Sequence, residues 1–323
     1  MGTPTLSIVI PTYNRADLLP RSVRSVTSQG DHFLELIVAD DASTDETPRV
    51  VASLAAGEPR LRHLRRATNG GNAATRNAAV AEARGEWITF LDDDDEMLPG
   101  FLAAMRTALA SAGPNIGFAW CGVRWVRDAS DGAERDLRDE VWKPDFHSRQ
   151  AAYEGFLRNR RIGTNCGLTI RRSAFQALGG FDETLRAAVD TDLLIRAAQH
   201  YDFTVVPEVY IKIHLHQNGH VRRDTHARAE TYVRIAEKHK DTLQGQPALA
   251  AALFYKAGWL HYHAGDKALG RKQMVRALLH RPLSLKSWTA LAGFEIFGRR
   301  AVSLHEKLSS IRAGRGRLAH EKP

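Results

Sequence analysis

Short apolar segments alternate with amphipathic ones along the first third of the chain. Segments of strand length cover residues 6–10, 34–39, 61–65 and 86–91, and segments with helical spacing cover residues 18–29, 44–56, 71–83 and 99–111. Strands that alternate with helices are typical of a parallel sheet whose crossover helices cover both faces. The sequence therefore predicts a doubly wound α/β sheet of the kind that binds nucleotides.

Four consecutive aspartates, Asp92, Asp93, Asp94 and Asp95, follow the last of these strands. In open α/β sheets, ligands bind beyond the carboxyl ends of the strands. Carboxylates suit Mg²⁺ or Mn²⁺, and such a cation keeps coordination positions open for substrate phosphates. The alternative is an acidic turn that caps the helix beginning near Pro99. The run alone leaves both interpretations open.

Acidic residues recur at two further positions. Asp40 and Asp41 follow the second strand, and Asp190 and Asp192 stand at the start of a predicted helix. One member of the first pair can cap the following helix through its side chain. Its other use is recognition, because a carboxylate accepts hydrogen bonds from a base or a ribose. We therefore predict that the acidic positions converge.

A turn rich in glycine and asparagine, residues 68–72, leads into the third helix. Its backbone N–H groups and the helix dipole can face an anion. Arg76 and Asn77 on that helix would add a positive charge and a donor for a diphosphate. The alternative for Arg76 is a solvated position on the helix surface.

The rest of the chain changes character twice. Residues 116–207 predict a long strand over 116–126, a charged loop over 127–138 and short strands over 168–170 and 204–206. After Val221 the pattern is helical, and Trp288 follows Phe254 by 34 residues, which is the tetratricopeptide period. We predict a catalytic domain over 1–221 and, over 222–323, a helical region with one tetratricopeptide-like unit and a basic tail.

Composition limits the class of protein. With 323 residues, 43% hydrophobic and 25% charged, the chain has the composition of a globular protein. Its two cysteines support neither a disulfide scaffold nor a zinc site. The N-terminus lacks a basic leader, and no run of about 18 apolar residues is present. These features favour a cytoplasmic protein.

The formal charge of +8 is concentrated near the C-terminus, where seven basic residues face two acidic ones after Ile296. Such a tail can lie on an anionic membrane surface or contact nucleic acid, or it is a solvated end. Trp288, Leu291 and Phe294 would add apolar contacts to a membrane surface. We expect possible peripheral membrane contact and no nucleic-acid partner.

Six motifs occur in an order and spacing that point to one enzyme family. They lie at residues 7–15, 38–45, 69–71, 76–77, 85–95 and 179–183. Together they resemble the family 2 inverting glycosyltransferases of the GT-A fold, over roughly residues 5 to 220. The resemblance implies a GT-A sheet that binds a nucleotide diphosphate sugar, followed here by an α-helical C-terminal extension.

The resemblance also implies roles on the donor side. It matches residues 11–13 to the loop that wraps the nucleoside, Asp41 to the aspartate that reads the base, and Asp92 with Asp94 to the DxD pair. The donor-binding residues that we predict are Pro11, Thr12, Tyr13, Asp41, Asn69, Arg76, Asp92 and Asp93. In that family the second DxD aspartate contacts the metal, so Asp94 is the predicted ligand of Mg²⁺ or Mn²⁺.

Two further roles complete the predicted site. Asp190 matches the general base, although Val189 replaces the glutamate that usually precedes it. His214 and His216 would share one face of a strand, and a neutral imidazole can complete a metal shell. Of these two histidines we predict His216 as a metal ligand; the alternative is a pair of polar strand-end residues.

The expected activity is transfer of one sugar, with inversion, from a UDP, GDP or dTDP sugar to a glycan or lipid-linked acceptor. A nucleotidyltransferase is a rival, but the residues after the first strand lack the glycine-rich, lysine-containing signature expected of one. A non-catalytic adaptor that binds nucleotide sugars is another rival. The presence of Asp41, Asp94 and Asp190 argues against such degeneracy.

Overall fold

The computed structural model describes residues 3–128, 134–141, 146, 148–158, 166–215 and 224–297. The chain forms two compact units. One comprises Met1–Leu185 and Val189–Gly219, and the other comprises Arg186–Ala188 and His220–Pro323. The predicted boundary at residue 221 lies outside the described residues, so the division into 1–221 and 222–323 stays a prediction.

The first unit is built on one mixed sheet. Its strands are β1 (Leu6–Thr12), β2 (Glu35–Asp40), β3 (Leu61–Arg65), β4 (Trp87–Phe90), β5 (Glu96–Met97), β6 (Ile116–Asp128), β7 (Glu134–Glu140), β8 (Thr169–Arg171) and β9 (Asp202–Leu215). The strand order is β3-β2-β1-β4-β8-β6-β9-β5, and β7 pairs with β6. Strands β1 to β4 are parallel, whereas β8 runs antiparallel to both β4 and β6. The predicted α/β sheet is confirmed.

Seven helices of the described residues belong to this unit. They are α1 (Leu19–Thr27), α2 (Thr47–Ala56), α3 (Gly71–Glu82), α4 (Phe101–Ala110), α5 (Arg149–Leu157), α6 (Arg172–Ala177) and α7 (Val189–His200). The sequence predicts α1 to α4 and the start of α7, but neither α5 nor α6. Helix α1 illustrates the cause, because Leu19, Val23 and Val26 are buried at intervals of three to four residues.

The parallel strands form the centre of the core. Every residue of β1, β2 and β4 is buried. Strands covered on both faces read as continuous apolar runs, because neither face meets water. Each fully buried Leu, Ile or Phe contributes about 1.5–3 kcal/mol by leaving water. The ends of these buried strands therefore hold the residues that follow them in fixed positions.

Two elements of the sheet differ from their prediction. Of the segment 127–138, predicted as a loop, the described residues 127–128 and 134–138 belong to strands, because β6 extends to Asp128 and pairs antiparallel with β7. The side chains of β7 are almost all exposed, so no apolar alternation marks it as a strand. The short strand predicted over 204–206 is the first part of β9, which continues to Leu215 although Pro207 and Glu208 interrupt the apolar pattern.

Glu35, the first residue of β2, is a charged residue in the interior of the protein. It is fully buried, and its carboxylate accepts hydrogen bonds from the Ser7 hydroxyl (2.7 Å), from N of Arg84 (2.6 Å) and from Nη1 of Arg62 (2.7 Å). Burial opposes its charge, but these hydrogen bonds outweigh burial and hold the pKa of Glu35 below its usual value. The carboxylate therefore ties the strands β1, β2 and β3 to the end of α3.

We expect Glu35→Gln to lower the free energy of unfolding by about 2–3 kcal/mol at pH 7, because its charged partners lose their anion. A carboxylate whose pKa is depressed in the folded state stabilises the protein above its unfolded pKa and loses that effect as pH falls through the folded pKa. The difference between wild type and variant should therefore shrink below about pH 4. Urea unfolding at several pH values measures it.

Glu82→Gln is the matched control, since Glu82 pairs with the same Arg62 but its side chain is 59% exposed. We expect it to change the free energy of unfolding by less than about 0.5 kcal/mol. Equal losses in the two variants would contradict the assignment of Glu35.

The second unit is helical, as predicted. Its helices are α8 (Thr225–Lys238), α9 (Lys240–Gln244), α10 (Pro247–Ala264), α11 (Lys267–His280) and α12 (Leu285–Phe297). Helices α10 and α11 approach closely at two glycines: a Cβ on Gly258 would lie 3.0 Å from O of Gly270. Among the described helices, not one combines the length and apolar character that a bilayer crossing requires.

The aromatic residues proposed for a membrane surface do not behave alike. Phe294 is 2% exposed and stacks on Tyr262 with ring centroids 4.0 Å apart. Its expected contact with a membrane is therefore wrong, because the ring belongs to the core between α10 and α12. Trp288 is 53% exposed.

Candidate active site

Three strands of the parallel half end at the same edge of the sheet. Thr12, the last residue of β1, is in register with Asp40, the last residue of β2, and N of Asp41 donates to O of Thr12 (2.9 Å). On the other side of β1, N of Leu91 donates to O of Val9 (3.1 Å), so the aspartate run begins one residue beyond the same edge. The structure thus brings the predicted nucleoside, base and phosphate segments to neighbouring strand ends.

The loop after β1 is fixed to the loop after β2. Asn14 has a φ of 52°. Its N donates to Oγ of Ser43 (2.9 Å), and its Oδ1 accepts from N of Thr44 (2.8 Å). Pro11 and Thr12 are buried, whereas the ring of Tyr13 is 45% exposed. The loop therefore presents an aromatic ring at the strand ends.

Asp41 is buried, and its carboxylate accepts hydrogen bonds from other groups of the protein. Its Oδ1 accepts from Nη1 of Arg66 (2.7 Å) and N of Gly70 (3.0 Å), and its Oδ2 accepts from N of Gly71 (2.7 Å). The expectation that these N–H groups of the 68–72 turn face a substrate anion is wrong, because Asp41 is the anion they bind. Asn69, at the tip of this turn, is exposed.

Arg76 lies beneath the first aspartate of the run. Its side chain is only 1% exposed, and its guanidinium contacts the carboxylate of Asp92 and Oδ1 of Asn72. The rings of Phe90 and Phe181 lie 6.0 Å and 5.8 Å from Cζ of Arg76. A solvated position for Arg76 is therefore wrong. A buried guanidinium requires a paired anion, and Asp92 provides it.

The middle aspartates of the run crowd one another. Burial, reinforced by the charge of Asp94, raises the pKa of Asp93 to about 7. Asp94 is 8% exposed, and its Oδ2 lies 3.3 Å from Nη1 of Arg15. Nη2 of Arg21 donates to O of Asp94 (2.9 Å). Negative charge that burial disfavours in this way is the environment that a divalent cation relieves.

Asp95 points into the protein. Its Oδ2 accepts from Sγ of Cys166 (2.8 Å), and its Oδ1 accepts from N of His214 (2.9 Å). Burial and the neighbouring charge of Asp94 raise the pKa of Asp95 well above its usual range. Burial likewise raises the pKa of the Cys166 thiol. Asp95 is thus a buried structural contact between the aspartate run, β9 and the segment before β8.

Carboxylates are the residues here that fit a hard divalent cation. Ligand atoms of Asp92, Asp95 and Cys166 all lie within 4.8 Å of one another. Mg²⁺ and Mn²⁺ prefer oxygen ligands, so a protonated thiol is a poor member of that set. Of the predicted metal ligands, Asp94 lies in the same run and His216 lies outside the described residues.

His214 is buried and held between two acids. Its Nδ1 lies 2.7 Å from Oδ1 of Asp128, and its Nε2 lies 2.7 Å from Oε1 of Glu96. The hydrogen bond from His214 holds the pKa of Glu96 below its usual value. Both ring nitrogens are engaged within the protein, so this histidine fixes β9 to β5 and β6. Neither Asp128 nor Glu96 was among the predicted site residues.

Asp190 lies in the first turn of α7, as predicted, and accepts a hydrogen bond from N of Thr191 (2.9 Å). Val189 is buried, consistent with an apolar residue in place of glutamate. Asp192 is buried and pairs with Arg196, whose Nη2 lies 2.7 Å from Oδ2 of Asp192. The two aspartates of this helix therefore differ: one is partly exposed and the other is an internal ion pair.

Asn77 connects α3 to the loop that precedes α7. Its Oδ1 accepts from N of Phe181 (2.9 Å), and its Nδ2 donates to O of Phe181 (2.9 Å) and to Oε1 of Glu183 (2.9 Å). Nη2 of Arg196 donates to O of Gly180 (2.8 Å) on the same loop. Gly180 has a φ of +72°, and a Cβ there would lie 2.6 Å from Oδ1 of Asn77. Consecutive residues of α3, Arg76 and Asn77, thus link the aspartate run to the segment that leads to Asp190.

We expect Asn77→Ala to lower the free energy of unfolding by about 2–3 kcal/mol, because it leaves N and O of Phe181 unpaired. If Asp190 is the general base, as the resemblance implies, we also expect a greater loss in transfer rate than in donor affinity, because Asn77 positions the segment that leads to Asp190. Glu183→Gln removes only one exposed partner of the same amide and should change either quantity little. Thermal unfolding and steady-state kinetics of both variants test this; equal effects would contradict it.

Several contacts of this site were not predicted from the sequence. Three side-chain contacts join residues that are far apart in the sequence. The separations are 79 residues for Arg15 and Asp94, 25 for Arg66 and Asp41, and 71 for Cys166 and Asp95. The motif at residues 7–15 includes Arg15, which is a usable signal. Nothing in the spacing of Cys166 indicates its partner.

The geometry agrees with comparisons to known proteins. The family model of glycosyl transferase family 2 matches residues 7–179, which is more than half of the chain. A Campylobacter jejuni GalNAc(5)-diNAcBac-PP-undecaprenol beta-1,3-glucosyltransferase is 40% identical over 149 residues, covering 44% of this chain and 47% of that protein. The chain therefore spans about half the length of this relative.

Two solved structures share the fold at low identity. Staphylococcus aureus TarS 1-349 in complex with UDP-GlcNAc aligns with a TM-score of 0.64 and 16% identity, over 93% of this chain and 87% of that one. The mannosyltransferase PcManGT from Pyrobaculum calidifontis, in complex with GDP-Man and Mn²⁺, aligns with a TM-score of 0.59 and 21% identity, over 100% and 89%. With motifs, fold and family model in agreement, the chain belongs to glycosyl transferase family 2.

Proposed function

We propose that the chain transfers a single sugar, with inversion, from a nucleotide diphosphate sugar to an acceptor hydroxyl, and that it needs Mg²⁺ or Mn²⁺. One observation carries the proposal. The ends of β1, β2 and β4 place Tyr13, Asp41 and the aspartate run at one sheet edge, and Arg76 and Asn77 link that edge to the segment before Asp190.

The donor side of the proposal uses the residues at the sheet edge. Tyr13 offers a ring face to the base, with Pro11 and Thr12 shaping the loop beneath it. Asp41 is the proposed reader of the base through Oδ2, which accepts one hydrogen bond, from Gly71, and has a lone pair left. Its bonds to the glycine turn would hold Asn69 beside the nucleotide. Arg76 acts through Asp92, because its guanidinium is buried. Asp92 contacts the donor, and Asp93 supplies supporting charge.

The cation would be held by Asp94, with His216 as the proposed further ligand. When bound, a divalent cation supplies neutralising charge to the leaving diphosphate. Arg15 pairs with Asp94 in the structure, and a guanidinium suits phosphate as well as carboxylate. We therefore expect Arg15 to contact the diphosphate when donor and cation occupy the site.

Asp190 is the proposed general base. Inversion requires the acceptor oxygen to attack the anomeric carbon on the face opposite the leaving diphosphate. A carboxylate on that face accepts the hydroxyl proton as the new bond forms. Asp190 stands at the start of a helix that is anchored by the ion pair of Asp192 with Arg196. A carboxylate on a different segment from the aspartate run suits a base that acts apart from the cation.

The substrates in the proposal are those of the similar proteins, named by class. TarS and PcManGT are seen with UDP-GlcNAc and GDP-Man, and the Campylobacter relative is named for an undecaprenol-linked acceptor. We propose a UDP, GDP or dTDP sugar as donor and a glycan or lipid-linked acceptor. In the same proposal the helical unit is a tetratricopeptide-like module. The basic C-terminus, which lies outside the described residues, would contact the inner face of the membrane from the cytoplasm.

A screen of UDP, GDP and dTDP sugars for thermal stabilisation tests the proposal. A ligand that binds only the folded state raises its unfolding temperature, and here the rise should require Mg²⁺ or Mn²⁺. The best donor should then be hydrolysed slowly in water and transferred faster to an acceptor glycan. Stabilisation without any turnover would favour the adaptor instead, and the absence of stabilisation by any donor would contradict the proposal.

A further inference from the structure

The helical unit contains a cluster of metal-ligating side chains that the transfer reaction does not use. It consists of His226 on α8, His261 on α10 and Asp266, which precedes α11. Each residue offers one ligand atom, and the three atoms all lie within 4.8 Å of one another. Three separate helical segments thus direct two imidazoles and one carboxylate to the same point.

A capped helix end positions two of these residues. Helix α10 ends at Gly265, which has a φ of 89°, and N of Asp266 then donates to O of His261 (2.9 Å). This hydrogen bond folds Asp266 back over the last turn of α10. Oδ1 of Asp266 also accepts from N of Leu269 (3.0 Å), capping α11. A carboxylate has two oxygens, so one can cap the helix while the other binds a ligand.

His261 provides an independent indication of a ligand. It is 2% exposed, and its Nδ1 has no hydrogen-bond partner within the described part of the chain. Buried polar atoms of native proteins are nearly always paired, so an unpaired one points to a bound water or ion. The neutral imidazole is the form that binds metals.

We propose that His226, His261 and Asp266 bind a zinc ion. Imidazole ligands favour Zn²⁺ over Mg²⁺, whereas the aspartate run offers carboxylates. Three protein ligands and one water complete a four-coordinate zinc site. Tetrahedral ligand atoms lie about 3.3 Å apart, so the cluster must close slightly, and the exposed His226 has the freedom to move. Glu230, 3.6 Å from Nδ1 of His226, adds negative charge beside the ion.

Neither cysteine belongs to this cluster. The cysteine spacing therefore could not indicate this zinc site in the sequence. The ion would connect α8 with α10 and the start of α11. Its effect would be on the stability of the helical unit, and it does not depend on the proposed transfer reaction. Zinc binding and sugar transfer can therefore be tested separately on the same protein.

Zinc titration of the untagged, metal-free full chain tests the site. The titration is made in the Asp94→Asn background, so that the aspartate run contributes less. We expect calorimetry to show one Zn²⁺ bound per chain and zinc to raise the unfolding temperature. Co²⁺ bound in place of zinc should show the visible absorption of a four-coordinate ion. His226→Ala, which alters an exposed side chain, should weaken zinc binding by at least about 100-fold, since even outer partners contribute about 10–100-fold.

His280→Ala is the matched control, because His280 is an exposed histidine on a helix of the same unit. It should bind zinc as the parent does. His261→Gln should also lose the ion, with its folding checked by circular dichroism; if it does not fold, His226→Ala decides. Zinc binding of parental affinity in His226→Ala, or no zinc binding by the parent, would overturn the proposal.

Discussion

Asp94→Asn is expected to abolish metal-dependent donor binding and to reduce sugar transfer by about a thousandfold. A cation at the diphosphate contributes several kcal/mol to the transition state, and each 1.4 kcal/mol is about tenfold in rate. Asparagine keeps the shape of the side chain but loses the charge that holds the cation. The measurements are donor affinity with and without Mn²⁺, and the rates of donor hydrolysis and of transfer.

The same variant should fold at least as stably as the wild type when metal is absent. The charge of Asp94 helps to raise the pKa of both Asp93 and Asp95, so its removal relieves repulsion inside the run. This separates loss of the cation from loss of the fold. Asp31→Asn, which alters a fully exposed carboxylate, is the control and should leave every quantity unchanged. Metal-dependent donor binding that survives in Asp94→Asn would sink the metal assignment.

The parallel half of the fold is predictable from sequence because its strands are buried on both faces. Residues 6–10 and 86–91 are mostly apolar, and the structure gives strands Leu6–Thr12 and Trp87–Phe90 there. Strand β7 is the contrasting case. It is held by pairing to β6 and by ion pairs such as Arg124 with Asp139, and neither leaves an apolar pattern.

The positions of the site residues are predictable from the sequence, but their contacts are not. Each aspartate lies at the end of a strand or the start of a helix, and the local sequence pattern predicts those ends. What each aspartate contacts depends on partners far along the chain. Asp95 reads like its neighbours, yet it is buried against Cys166, which lies 71 residues later and acquires its position only through the sheet. Arg76 reads like a surface residue because α3 is rich in alanine on every side.

We expect substitutions of the two aspartates of α7 to differ in their effect on stability. The Asp192 side chain is fully buried and bonded to Arg196, which also donates to O of Leu178 and O of Gly180. Asp192→Asn should therefore lower the unfolding temperature, because breaking a buried pair leaves an unpaired charge. Among the described residues, the one hydrogen-bond partner of Asp190 is N of Thr191, so its replacement should have little effect on stability.

Asp190→Asn is expected to lose transfer by about 100- to 10,000-fold, the range of general-base catalysis, while donor affinity stays near that of the wild type. As the proposed base, the carboxylate would accept the acceptor's proton only as the new bond forms, so its loss should affect the rate and not the binding of the donor. Donor affinity by calorimetry, transfer rate under saturating donor and the unfolding temperature together test this. Glu183→Gln is the control on the same side of the site and should transfer normally. A wild-type rate in Asp190→Asn would refute the assignment, and a parallel loss of donor affinity would place Asp190 on the donor side instead.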